Sequence, residues 1–186
     1  MSYKEVITKF QEKMNVVLEV EKKEFSAIRT GRANPSLLDR VQADYYGTPT
    51  PLPQIATIST PDPKTLVVTP WDKSMLAKVE RAIMASDLGL TPTNDGNVIR
   101  MSLPHLTEER RKDLVKLIKK IAEDMRVAVR NVRRDAVEAV KKLEKDGAIT
   151  EDDLKRAQDE IQKLTDKHIA DIDKLLASKE TEIMQV

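Results

Sequence analysis

Apolar residues recur at helical spacing along three stretches of the chain. In the first, Ile7, Phe10, Met14, Val17 and Ile28 keep a four-and-three step, with Leu18 and Phe25 alongside. Glu21 falls on the same seam, an acid where the pattern asks for an apolar group. In the second, Leu114, Ile118, Ile121, Met125, Ala128, Val132, Ala136, Ala139 and Leu143 take the same steps with one extra step of four. The third runs through Leu154, Ala157, Ile161, Leu164, His168, Ile172 and Leu175. Seams of this period suit near-parallel, coiled-coil-like helix packing. Thr107, followed by Glu108 and Glu109, is placed to cap the second helix and meet its dipole. Asp146-Gly147 stops that helix, and Thr150 with Glu151, Asp152 and Asp153 starts the third. So short a link makes the two helices antiparallel neighbours.

The texture changes between Gly31 and Pro104, which hold most of the prolines and four of the five glycines. Tyr45-Tyr46-Gly47 and the run Pro49, Pro51, Pro53 read as a strand end and an extended turn. Residues 55–60, 65–69 and 97–103 have strand-like alternation or β-branched content. Residues 72–86 form a short amphipathic helix with Met75, Leu76, Val79, Ala82 and Ile83 on one side. The pattern predicts an α+β fold: a three-helix bundle from residues 1–30 plus 105–186, and a small β/α/β domain, 31–104, inserted into it. The chain crosses between them twice, at Thr30-Gly31-Arg32 and at Leu103-Pro104-His105. Gly31 reaches backbone angles that other residues avoid, and Pro104 interrupts regular structure. Two such crossings suit a hinge, and equally suit an elbow locked by packing.

Composition narrows the class. With 34% charged and 40% hydrophobic residues, the chain is too apolar for disorder. No run of eighteen apolar residues is present to span a membrane. The first twelve residues alternate charge with apolar groups, which fits neither a signal peptide nor a transit peptide. Cysteine is absent, excluding disulfides and thiolate ligands. These features fit a cytoplasmic protein. Net charge is only +1, but it is unevenly spread. Residues 107–145 carry thirteen Lys or Arg against eight Asp or Glu, and residues 150–186 carry six against ten.

Arg126, Arg130, Arg133 and Arg134 fall within a sector of about 100° on the second helix. Lys112, Lys116, Lys119 and Lys141 share it, and Glu123 interrupts it. The apolar seam lies roughly opposite, so this face meets solvent. Two readings stand. The face contacts a nucleic acid, for which arginine's planar fork suits phosphates and bases. Or it is a solvated face whose cations pair with the acidic third helix.

Catalytic patterns are missing. His105 and His168 belong to different elements, the first in a crossing and the second on a helical seam. There is no phosphate-binding loop, no zinc-protease motif and no glycine-rich dinucleotide turn. Asp62, Asp72, Asp87 and Asp95 lack metal-loop spacing and read as turn or cap residues. Aromatics are 3% of the chain, too few for a base-stacking platform, and Tyr45 and Tyr46 read first as packing in the small domain. The expectation is a non-enzymatic protein without metal or cofactor. One alternative is a structural adaptor or chaperone whose bundle binds another helical protein.

Several segments resemble the bacterial ribosome recycling factor family. They are Arg29-Thr30-Gly31-Arg32-Ala33-Asn34-Pro35-Ser36-Leu37-Leu38, Tyr45-Tyr46-Gly47-Thr48-Pro49 and Ile83-Met84-Ala85-Ser86-Asp87-Leu88-Gly89. Leu106-Thr107-Glu108-Glu109-Arg110-Arg111 and Val129-Arg130-Asn131-Val132-Arg133-Arg134-Asp135-Ala136 complete the set. Together they span nearly the whole chain. The resemblance implies an L-shaped monomer. It would bind the 70S ribosome at the subunit interface and, with elongation factor G and GTP, split it into subunits. It implies large-subunit RNA contact by Arg130 and Arg133, with Arg134 beside them, and ribosome contact by Arg29 and Arg32. The small domain and hinge would face elongation factor G, and GTP hydrolysis would be that partner's.

Overall fold

The computed structural model of the protein describes residues 2–185. Cα packing divides the chain into two compact units, residues 2–29 with Glu109–Gln185, and Thr30–Glu108.

The first unit is all helix: α1 (Tyr3–Ala27), α3 (Glu108–Lys145) and α4 (Glu151–Met184). The N-termini of α1 and α4 and the C-terminus of α3 are chemically marked. Ser2 and Glu5 form a capping box on α1, and Thr150 and Asp153 form another on α4. Between α3 and α4, Gly147 takes φ 73°. Its N–H donates to the Glu144 carbonyl at 2.9 Å, and the Ala148 N–H to that of Leu143 at 2.8 Å. This is the paired closure of a Schellman stop, and a left-handed residue there favours glycine.

The three helices share a core of Val6, Ile7, Ala136, Val140, Ala157 and Ile161. On α3 the fully buried row is Leu114, Ile118, Ala122, Val129, Ala136 and Val140. Ile121, Met125, Val132 and Ala139, expected at the seam, are half-buried beside it. A helix in a three-helix bundle faces two neighbours, so its apolar stripe is wider than a single seam. On α4, His168 is buried as the pattern suggests. Its Nδ1 donates to the Leu164 carbonyl at 2.7 Å, and Nε2 meets the Asn15 amide oxygen atom at 2.8 Å.

The second unit holds a two-stranded sheet, β1 (Gln42–Tyr45) with β2 (Thr48–Pro51). A four-stranded antiparallel sheet has the order β3-β4-β6-β5. Its strands are β3 (Ala56–Asp62), β4 (Thr65–Pro70), β5 (Pro92–Asn94) and β6 (Ile99–Ser102). One helix, α2 (Leu76–Met84), buries Leu76, Val79 and Ile83 in the same core as Leu38, Leu52, Leu66, Val68, Ile99 and Met101. Asp72 caps the 3-10 turn before α2 by accepting from the Ser74 N–H. Strands β2 and β5 go beyond the sequence expectation. Pro49 and Pro51 sit on a two-stranded edge, where a missing N–H costs no central ladder bond.

Both crossings are bonded to the turn between β3 and β4. The Ala33 N–H donates to the Pro63 carbonyl at 2.7 Å, and the Leu103 N–H to that of Lys64 at 2.8 Å. The Lys64 ammonium donates to His105 Nδ1, also at 2.7 Å. Thr30 is buried, and Gly31 has φ 75°. A Cβ on Gly31 would lie 3.2 Å from Leu106 Cγ. These contacts explain why the small unit takes in Thr30 and residues 105–108.

Candidate nucleic-acid interface

The basic sector of α3 does not behave as one surface. Toward its N-terminal half, two of its cations face acids of the helix beside it. The Arg126 guanidinium donates through Nε (2.9 Å) and Nη2 (2.7 Å) to Asp173 Oδ1, and through Nη1 to Glu123 Oε2 at 2.9 Å. Its side chain is only 21% exposed. The Asp173 hydrogen bond raises its already high pKa further. Lys119 lies 3.9 Å from Glu180 on α4. The inter-helix pairing read as one alternative from the sequence therefore accounts for Arg126, and at longer range for Lys119.

Farther along, the cations are open. Arg130, Arg134 and Lys141 are exposed. Arg130 has one long contact, Nη1 to Glu123 Oε1 at 3.4 Å, and Arg133 Nη1 reaches Gln162 Oε1 at 3.4 Å. Arg133, Arg134 and Lys141 line an open groove of about 350 Å³ between α3 and α4, with Glu138 among them and Gln158 and Gln162 on its far wall. Three cations outnumber the one carboxylate of the lining, Glu138, and suit an oxyanion: the guanidinium forks grip oxygen atoms bidentately, and the Gln158 amide adds a neutral donor, while that of Gln162 donates to Asp166 at 2.9 Å. The sequence reading did not find Gln158 and Gln162. Their signal was present, as two uncharged amides four residues apart on a helix otherwise dense in acid.

Glu123 is a second anion on this face, beside Arg126 and Arg130. Arg126, and then Arg130, hold its carboxyl below the usual carboxylate range. It touches both arginines, so it already occupies part of the place a phosphate would take.

Beneath the face lies Glu21 of α1, wholly buried, with no hydrogen-bond partner for either carboxylate oxygen among the described residues. Burial pushes its carboxyl up to about 7; Arg126 opposes the shift and Asp173 adds to it. The seam break visible in the sequence is thus an acid held among the three helices, with the Arg126–Asp173 pair as its charged neighbours.

Of the remaining expected contacts, Arg29 and Arg32 are both exposed, Arg29 in the helical unit and Arg32 in the small one. No group of three or more His, Asp or Glu side chains among the described residues is arranged to hold a metal. No helix of the described residues is long and apolar enough to cross a membrane.

Comparison with known proteins agrees with this architecture. A family model described as ribosome recycling factor matches residues 21–184. The chain is 58% identical over 182 residues to the ribosome-recycling factor of Pelotomaculum thermopropionicum, covering 98% of both chains. It is 56% identical over 176 residues to that of Caldicellulosiruptor bescii, covering 95% of this chain and 96% of the relative. Among solved structures, a solution structure of a ribosome recycling factor matches with a TM-score of 0.75 at 44% identity, covering 100% of this chain and 99% of that one. A second match has a TM-score of 0.64 and 49% identity, covering 98% of this chain and 99% of the other. It comes from models of the Thermus thermophilus ribosome recycling factor and Escherichia coli elongation factor G bound to the E. coli post-termination complex. With the family model covering most of its length and the curated relatives nearly all of it, the chain belongs to the ribosome recycling factor family.

Proposed function

We propose that this chain is a translation factor that disassembles the post-termination ribosome into subunits, acting with elongation factor G and the GTP which that partner hydrolyses. Messenger RNA and deacylated transfer RNA are released in the process. The observation that carries the reading is the groove cluster of Arg133, Arg134 and Lys141, open on a bundle whose family members are ribosome recycling factors.

In this reading the helical unit anchors on large-subunit ribosomal RNA at the subunit interface. Arg130, Arg133 and Arg134 meet phosphates, and Arg29 and Arg32 add contacts nearer the crossings. Such contacts position the protein without reading sequence. Arg126 serves as a positioning residue, holding α3 to α4 so that the next turns present their guanidinium groups. The factor performs no bond chemistry and holds no metal or cofactor; it converts a push from elongation factor G into separation of the subunits. Residues 1–30 with 105–186 form the anchor, and residues 31–104 form the part that is pushed. The crossings Thr30-Gly31-Arg32 and Leu103-Pro104-His105 act as the hinge passing that push. It works as a monomer in the cytoplasm, where translating ribosomes are.

The test is light scattering of post-termination ribosomes mixed with the protein, elongation factor G and GTP. Splitting that requires all three supports the reading. Scattering unchanged by the protein, while ribosome pelleting shows it bound, overturns it.

A further inference from the structure

The small unit concentrates aromatic surface in a chain that has little. Of one Trp, three Tyr and two Phe, three lie together here: Tyr45, Tyr46 and Trp71. Tyr46 is 72% exposed and Trp71 67%, values unexpected for residues that serve only as packing. Each is nonetheless held in place. The Tyr45 and Tyr46 rings meet edge to face, centroids 4.7 Å apart at 76°. The Tyr46 hydroxyl donates to Asp72 Oδ2 at 2.9 Å, and Trp71 Nε1 donates to Thr57 Oγ1 at 2.9 Å. Tyr46 has φ 50°, a left-handed conformation that a bulky residue adopts only under constraint. With Gly47 it makes the two-residue turn of the β1–β2 hairpin, which aims the ring outward.

Beside these rings is a cavity of about 460 Å³, lined by Tyr45, Thr50, Gln54, Ile55, Trp71 and Asp72. None of the six is a cation, and one is a carboxylate. Asp72 stays ionised, its carboxyl held below the usual range by Ser74 and then Tyr46. Two oxygen atoms offer about four acceptor positions, of which the Ser74 N–H, the Ser74 hydroxyl and the Tyr46 hydroxyl use three. Lys78, paired with Asp44 at 4.0 Å, and Lys73, donating to Asn97 at 3.1 Å, are turned to other partners. Rigid aromatic walls with an ordered carboxylate attract a planar cation through ring faces and charge together. A nucleic acid would bring phosphates toward Asp72 and be repelled. Exposed Tyr and Trp in a partly formed pocket are also the usual anchors of protein interfaces.

We propose that this pocket docks an arginine side chain presented by a protein partner, flanked by apolar or proline residues that lie on Tyr46 and Trp71. The surface is opposite in sign to the α3 groove and does not depend on how that groove is read.

The test is ¹H–¹⁵N NMR of the full chain titrated with the peptide acetyl-Pro-Arg-Pro-Leu-amide, the same peptide with Gln for Arg, and a decamer of uridylate. The single tryptophan gives one indole N–H signal that reports on the pocket directly. The arginine peptide should move that signal and the amides of Tyr46, Gly47 and Asp72 saturably. The glutamine peptide should bind about three- to thirtyfold more weakly. Asp72→Asn keeps an acceptor for the Ser74 N–H but loses the charge, so it should weaken the arginine peptide several-fold while the remaining spectrum stays in place. Trp71→Ala, at an exposed position, should do the same. Equal shifts from both peptides would overturn the proposal. So would shifts from the RNA alone, no shift up to roughly 20 mM peptide, or unchanged affinity in both folded variants.

Discussion

Arg126 and Asp173 are joined by two guanidinium nitrogens on a single carboxylate oxygen, Nε at 2.9 Å and Nη2 at 2.7 Å. This bond ties α3 to α4 one turn before Arg130. It separates, within one helical sector, an arginine that holds the bundle together from Arg130 and Arg133, whose side-chain contacts are long, at 3.4 Å. Arg126→Leu should therefore lower stability by about 1–2 kcal/mol, since a charge-assisted bond is lost and Asp173 is left alone. Urea denaturation of the variant checks this, with ribosome pelleting alongside. A large loss of affinity without loss of stability would place Arg126 among the RNA contacts instead.

Arg133→Ala should show the opposite profile. Its one contact is the long one to Gln162, so stability should stay within about 0.5 kcal/mol of the parent. Ribosome affinity should fall by about 1–3 kcal/mol, on the order of a charge-assisted hydrogen bond. Arg133→Lys should recover only part, because lysine keeps the charge and loses the fork. Binding across a salt series should give a shallower slope for the alanine variant, as fewer counterions are released.

Glu123→Gln removes the carboxylate that holds Arg130 and part of Arg126. Ribosome binding should tighten, because this internal anion no longer competes with phosphate for Arg130. The salt slope should steepen by up to about one counterion. Weaker binding would mean that Glu123 orients Arg130 and does not compete for it.

Glu21 sets a pH dependence. Its carboxyl titrates near 7 in the folded protein against 4.5 as the ordinary value. A group whose folded pKa is raised favours folding most when protonated. Its contribution is complete below about 4.5 and is lost as pH rises through about 7. Glu21→Leu should remove this loss and stabilise the protein by about 3 kcal/mol at pH 8, with little gain at pH 4.5. Chemical denaturation at the two pH values gives the comparison. An equal gain at both would assign the effect to packing alone.

Gly31→Ala places a Cβ at φ 75°, 3.2 Å from Leu106 Cγ. The strain should cost about 1–2 kcal/mol. Ribosome splitting should fall further than ribosome binding if this crossing passes the push. Equal losses in the two assays would point to general destabilisation.

Much of the fold was legible because its signals are periodic or local. Thr150 and Asp146-Gly147 announced the α3–α4 corner through capping chemistry that needs no distant partner. The centre of α3 was harder. Counting fours and threes follows one seam and misses Ala122, Val129 and Val140, which are buried because the helix faces two neighbours. Strand β2 was hidden by Pro49 and Pro51, which read as turn until a two-stranded edge gives them a place. Within the basic sector, Arg126 and Arg130 are equivalent by angle, and only Asp173 on another helix distinguishes them. Glu21 stood out as a break in the pattern, but its burial without a hydrogen-bond partner emerges only when three helices close around it.

The packing of α1 against α4 sets a timetable for synthesis. Helix α1 leaves the ribosome well before α4, its partner, and residues 28–150 are made in between. At about 5–20 residues per second the wait is roughly 6–25 s. During it the small unit, continuous in sequence from Thr30 to Glu108, already has its whole core available for folding. Until α4 emerges, Val6, Ile7 and Phe25 of α1 have no finished core to enter. A nascent chain stalled before residue 151 would expose that stripe, making it a natural holding site for a chaperone.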